Sequence, residues 1–254
     1  MKTITRHRLK THSYEGLSEF YESNLGMANF STGNSLSFGY EATGCHLQFE
    51  KASCVSYVSS ATDFYWKTGI TVRNLDHAVD FLNKKGIAVS EPFQFMDIGY
   101  LAHLQDPQGH IIELLQHGFE GREQEVSGGH PIGGQATLAH ITLRVTDIDR
   151  CDAFLSEQLQ MRLMSIQPVP SRGFTLYFYC WSDEKLPHMD LEAVENREWL
   201  WARPYTLLEL QHFHDPVTLG FRLEQNPGFQ GFSYSEDSNS IPVKLNLLDL
   251  ESLV

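Results

Sequence analysis

Short stretches of the chain alternate between apolar and polar positions. His140-Ile141-Thr142-Leu143-Arg144-Val145 has a period of two, which predicts a strand with one apolar and one polar face. Asp76 to Lys85 instead places Ala78, Val79, Phe81 and Leu82 at helical spacing and ends near Gly86, which predicts an amphipathic helix. Gly99 to Leu104 and His110 to Leu115 read as two further strands. Asp106-Pro107-Gln108-Gly109 between them reads as a turn. The unit these elements build is βαβββ.

The unit recurs. Phe20, Leu25 and Met27 match Phe154, Leu159 and Met161, each pair 134 residues apart. Ile70-Thr71-Val72 and Phe81 match Leu143-Arg144-Val145 and Phe154 at a spacing of 73, and Phe20 lies 61 residues before Phe81. Three gap-free spacings that close on one another define three copies. They cover about 4–52, 64–117 and 137–214, with a Gly/His/Pro-rich linker over 118–136 and a tail of about 40 residues.

Composition narrows the function classes. The chain has 254 residues, 41% of them apolar and 20% charged, as expected of a globular protein. Its 19 basic and 32 acidic residues give a net charge of −13, which argues against a nucleic-acid partner. No apolar run approaches the roughly 18 residues of a membrane span, and no apolar leader follows the basic N-terminus. Cys45, Cys54, Cys151 and Cys180 form no metal-type pair, so reduced thiols and a cytoplasmic location are expected.

A βαβββ repeat carrying Phe20-Tyr21…Leu25-Gly26-Met27 in its helix resembles the vicinal oxygen chelate superfamily. So does Asp106-Pro107-Gln108-Gly109-His110-Ile111-Ile112-Glu113-Leu114 on its last strand. Copy three is most similar to glyoxalase I, through Leu143-Arg144-Val145, Phe174 to Phe178, an insertion over about 182–203, and Arg203 to Leu210. The resemblance implies an α+β fold in which βαβββ modules pair into open, curved mixed β-barrels with helices outside. It also implies a divalent metal (zinc, nickel or iron) held by a His or Gln on each first strand and a Glu on each last strand. On this chain the first-strand positions are Arg6, Lys67 and His140, and the last-strand acids are Glu50, Glu113 and Glu209.

Arg6 and Lys67 have no lone pair for a metal. Pairing of copies one and two over 1–117 would therefore leave a structural or anion-binding pair of salt bridges. The third module with its shortened C-terminal segment would then form a second body over 137–254. His7 could enter the first slot only by a one-residue slip of its strand, which turns the whole strand over. Homodimerisation of copy three would make a His₂Glu₂ set from His140 and Glu209. Pairing copy three with copy two would instead join His140, Glu209 and Glu113, with Lys67 nearby.

The metal ligands expected are thus His140, Glu209 and Glu113, with Glu50 and His7 as weaker candidates. His103 and His110 read as structural, and His46 with Glu50 as a possible alternative pair on one strand. The resemblance makes Glu209 and Glu113 the candidate catalytic residues, one of them acting as the base, and Arg144 the anchor of a substrate carboxylate. It implies a metal-dependent lyase or isomerase that removes a proton from a small oxygenated metabolite. One alternative is a non-enzymatic binding or resistance protein. Another is a ring-cleaving dioxygenase, which needs two histidines and a carboxylate, whereas the mapped slots supply one histidine per chain.

Overall fold

The structure is a computed structural model that describes residues 2–52, 56–221, 225–236 and 241–250; Cys54 lies outside them. The repeat is visible throughout. Module one comprises β1 (Thr3–Thr11), β2 (Ala28–Asn29), β3 (Leu36–Gly39) and β4 (His46–Lys51). Module two comprises β5 (Tyr65–Val72), helix α1 (Leu75–Lys84), β6 (Phe93–Phe95), β7 (Gly99–Gln105) and β8 (Ile111–Gln116). Module three comprises β9 (Thr137–Val145), helix α2 (Ile148–Asp152), β10 (Arg162–Val169), β11 (Phe174–Cys180), helix α3 (Glu195–Trp201) and β12 (Leu207–Phe213).

Local chemistry explains why the copies share this form. Asn74 and Asp147, 73 residues apart, cap their helices by accepting hydrogen bonds from the backbone N–H of His77 (2.9 Å) and Arg150 (3.0 Å). In modules one and three the helix runs through a π-helical segment, Glu19–Asn24 and Ala153–Gln158. Each segment is soon followed by a left-handed residue, Gly26 (φ 71°) and Gln160 (φ 61°). A side chain at Gly26 would strike the His130 ring. On α1, Ala78, Val79 and Leu82 are buried, as the apolar spacing predicts, together with Leu75, while Phe81 is half-buried.

An eight-stranded sheet runs β10-β11-β12-β9-β5-β8-β7-β6. Its centre is the antiparallel β5–β9 pair, with Gly69 opposite His140. Each of these first strands is flanked by the last strand of its own module, β8 or β12, running parallel. Modules two and three therefore form one curved sheet. The other sheet runs β14-β13-β1-β4-β3-β2, where β13 (Gly228–Ser235) and β14 (Val243–Asn246) belong to the tail.

This corrects the expected pairing of modules one and two over 1–117, and of the tail with module three. Alternate positions of β1, on one face of the strand, carry Arg6, Arg8 and Lys10. Placing β1 against Lys67 on β5 would gather like charges, which is unfavourable across a sheet. Strand β13 offers neutral residues instead, pairing Phe232 with His7 and Gly231 with Arg8. The Arg8 guanidinium then donates to the Leu245 carbonyl (2.8 Å) and the Asn246 side-chain oxygen (2.9 Å) of the tail.

The apolar core has two parts. One lies between the sheets and under the helices, around residues such as Leu9, Phe38, Phe49, Ile70 and Leu143. The other lies on the concave side of the eight-stranded sheet, around Leu101, Leu115, Leu176, Phe178 and Trp201. The module-three insertion closes over this second part. Trp201 Nε1 donates to the Ile98 carbonyl (2.9 Å), and Arg197 pairs with Asp97 at 2.5 Å.

Candidate functional site

The four central strands of the larger sheet, β12-β9-β5-β8, each contribute one side chain to a single buried cluster. Lys67 comes from β5, Glu113 from β8, His140 from β9 and Glu209 from β12. In both modules the acid lies opposite the residue two places after the first-strand slot: Glu113 faces Gly69, and Glu209 faces Thr142. Two residues along a strand return to the same face, so all four side chains meet on the concave side.

The cluster sits at the base of a cavity of about 220 Å³. Its walls include Trp66, Phe93, Phe95, Phe174, Phe178 and Trp201. The Lys67 ammonium donates a short hydrogen bond to Glu113 Oε2 and lies 4.0 Å from Glu209 Oε2. His140 Nε2 is 3.2 Å from both Glu113 Oε1 and Glu209 Oε2, without an aligned hydrogen bond to either. His103 Nε2 approaches Glu113 Oε2 at 3.1 Å. The Thr142 hydroxyl donates to Glu209 Oε2 at 2.8 Å. The other Glu209 oxygen, Oε1, is buried and has no hydrogen-bond partner among the described residues.

Electrostatics divides the two acids. Burial pushes the Glu113 carboxyl up, but the Lys67 ammonium and the close His103 and His140 imidazoles outweigh it and hold it well below the usual range. Glu113 is thus committed to its partners, whereas Glu209 keeps a free oxygen.

The cluster rests on a close approach of two backbones. A Cβ at Gly69 would lie 2.0–2.4 Å from the His140 ring atoms, so only glycine leaves the ring its place. Gly69→Ala is expected to cost about 1–3 kcal/mol, the usual cost of overfilling a packed site. Urea unfolding checks this, and a loss under about 0.5 kcal/mol would refute it.

Of the residues expected from sequence, His140, Glu209 and Glu113 come together, and both halves of the site come from one chain. A second copy is not needed to assemble it. Arg144 does not line the cavity. Its guanidinium donates to the carbonyls of Ser60 (2.9 Å) and Asp63 (3.1 Å) and to Gln211 (3.2 Å). It also stacks 5.0 Å from the Trp66 ring centroid. Burial lowers its pKa to about 10. It holds the wall rather than a ligand.

Glu50 lies in the other sheet, opposite Lys10. The position two residues after Arg6 faces Gln48 instead, so the acid spacing of modules two and three is not kept in module one. His7 is buried, with Nδ1 3.2 Å from Thr68 Oγ1 and its ring against Tyr65 and Phe229. Burial, with the nearby His110 and Arg8, lowers its pKa to about 3. His46 stacks on Phe30 and hydrogen-bonds the Glu41 carbonyl. His103, read from sequence as structural, stands in the cavity wall. Its place directly across from Glu113 in the β7–β8 hairpin is the signal that marks it.

A resident divalent ion does not fit these donors. One Glu113 oxygen is engaged by Lys67 and His103, and the ammonium puts a positive charge where another ligand would stand. His140 and Glu209 remain as open donors, and among the described residues no three His, Cys, Asp or Glu side chains are arranged to hold a metal.

No protein-family model and no curated protein matches the sequence. Solved structures do match. Glyoxalase I from Zea mays superposes with a TM-score of 0.66 over 92% of this chain and 74% of that one, at 16% identity. An E-to-Q variant of that enzyme gives 0.67, 15% identity, and 92% and 75% coverage. A candidate dioxygenase from Bacillus subtilis gives 0.53, 15% identity, and 85% and 64% coverage. At these identities the likeness is one of fold. No helix among the described residues is long and apolar enough to cross a membrane.

Proposed function

We propose that this chain, which has the vicinal oxygen chelate fold, moves a proton on a small oxygenated metabolite in the cavity between modules two and three. The reaction class is that of a lyase or isomerase, with Lys67 supplying the positive charge for which the resemblance called for a metal. The observation that carries this reading is the Lys67 ammonium beside Glu113 and Glu209 at the cavity base.

The chemistry follows from the four groups. An ammonium has three donors, and Glu113 takes one. A substrate carbonyl oxygen can accept another. Glu209 Oε1, buried and unpartnered, takes the proton from the carbon next to that carbonyl. The C–H electron pair moves onto the oxygen, where the ammonium stabilises the enolate. The oxyanion takes the proton of the neighbouring hydroxyl, that oxygen becomes the new carbonyl, and the proton held on Glu209 returns to the former carbonyl carbon, which completes an isomerisation. Thr142 fixes the Glu209 carboxylate through its other oxygen, and the aromatic walls keep water from the developing anion.

Proton exchange in D₂O tests the reading. A panel of small neutral 2-hydroxy carbonyl compounds, followed by proton NMR, should lose the α-proton signal faster with the protein than in buffer. The exchange should survive exhaustive chelation and dialysis. Loss on chelation with recovery on adding nickel, zinc or iron would overturn the metal-free assignment. A second reading, binding without turnover, draws on the Lys67–Glu113 pair being satisfied at rest. It would replace the first if the compounds quench Trp66 and Trp201 fluorescence but none exchanges.

A further inference from the structure

The cavity wall carries two cations. Lys67 is at the base, committed to the acids. The other is Arg172, which follows Pro170 and Ser171 in the short turn between β10 and β11. Arg172 is exposed and has neither an ion pair nor a side-chain hydrogen bond to any described residue. It stands on the same cavity as Phe93, whose 44% exposure marks the open end. The two charged ends differ in kind. At the base, Glu113 and Glu209 outnumber the single ammonium, so an incoming anion would meet a carboxylate excess in a water-poor place. At the mouth, the guanidinium has its five donors free, in a fork that matches a carboxylate. The wall between them is largely aromatic, through Trp66, Phe95, Phe174, Phe178 and Trp201, which suits a flat apolar body.

We infer that the ligand is a flat, largely apolar carboxylate that enters oxygenated end first and leaves its carboxylate on Arg172 at the mouth. This deepens the function proposed above and rests on the same cavity being the binding site. It assigns Arg172 the anion-anchoring role that the resemblance had implied for Arg144, which lies outside the cavity lining and donates through Nε and Nη1 to Gln211, Ser60 and Asp63. Orientation follows from the charges: the group to be deprotonated is delivered to Lys67 and Glu209, and the anion is kept from them.

A matched pair of probes tests this. 3-Phenylpropionate and its neutral amide have the same shape and differ in charge. Titration by tryptophan fluorescence or calorimetry at low salt should show the acid binding about three- to tenfold tighter than the amide, the range expected of an accessible Arg–carboxylate pair. Arg172→Gln should remove that preference by weakening the acid alone, and raised salt should shrink it in the unaltered protein. An acid bound no tighter than the amide, or a preference that survives in R172Q, overturns the inference. Deuterium exchange with neutral compounds would be untouched by that result, so the proton-transfer reading stands or falls separately. If neither probe binds and no compound exchanges, both fail together.

Discussion

Replacing Lys67 by methionine lowers the stability of the protein by about 3–5 kcal/mol at neutral pH, the usual effect of stripping one partner from a buried ion pair. Methionine keeps the length and the apolar stem, so the loss reports the charge. Lys67 and Glu113 are each 4% exposed and Glu209 1%. Without the ammonium, two buried carboxylates face each other across His140. The pH dependence has a definite sign. The folded-state pKa of Glu113 is depressed, so its contribution is present above the ordinary carboxylate pKa and is lost as pH falls through the folded value. The gap between K67M and the unaltered protein should therefore narrow in acid, below the ordinary carboxylate value of 4.5, and be full at neutral pH. Adding Glu113→Gln should restore part of the stability lost in K67M, because the uncompensated charge goes with it. Denaturant unfolding across pH reads both variants against the unaltered protein. A K67M loss under about 1 kcal/mol, or one independent of pH, would mean the cluster is not held by this pair.

Glu209→Gln should slow proton exchange by about 10²- to 10⁴-fold, the range of a general base, while the affinity for neutral ligands changes less than about twofold. The amide keeps the shape and still accepts from Thr142, so folding is spared. Glu113→Gln tests the division of labour. Glu113 is engaged by Lys67, His103 and His140, which hold its carboxyl below the usual range. Its loss should act mainly by loosening Lys67, visible as lower stability and a raised KM as well as a lower kcat. Thr142→Val should cost less than tenfold, since it only steadies Glu209. Exchange at an undiminished rate in E209Q, or a larger kcat loss in E113Q than in E209Q, would move the base to Glu113.

The residues of this site were partly legible because the repeat carries them. The spacing of 73 places Lys67 at the position of His140, and terminal-strand motifs mark Glu113 and Glu209; the structure brings all four to one point. Module one shows where such counting stops. Glu50 looks equivalent by sequence, yet it lies opposite Lys10 rather than Arg8. A strand's register depends on its partner, and a shift by two residues preserves the apolar pattern while moving the acid. His103 and Arg172 gave no local signal. One is placed by a hairpin partner, the other by a turn that reaches the cavity mouth. Arg144 misled for the opposite reason: its position in the repeat was right, but the loop at Ser60–Asp63 folds over its donors.

What the chain determines by itself is the module: period-two strands, a capped amphipathic helix, a turn at Asp106–Gly109, and an acid on each of the three last strands. Those features are local, written in the spacing of side chains within one strand or helix. Which modules join was decided only in three dimensions. The first strand of each module presents an open edge that backbone hydrogen bonding alone would let any other fill. The choice fell to long-range terms: the cations lining β1 against the neutral edge of β13, and the close fit of Gly69 under His140. That choice put Lys67, not a second histidine, among the acids, and with it the chemistry proposed for this protein.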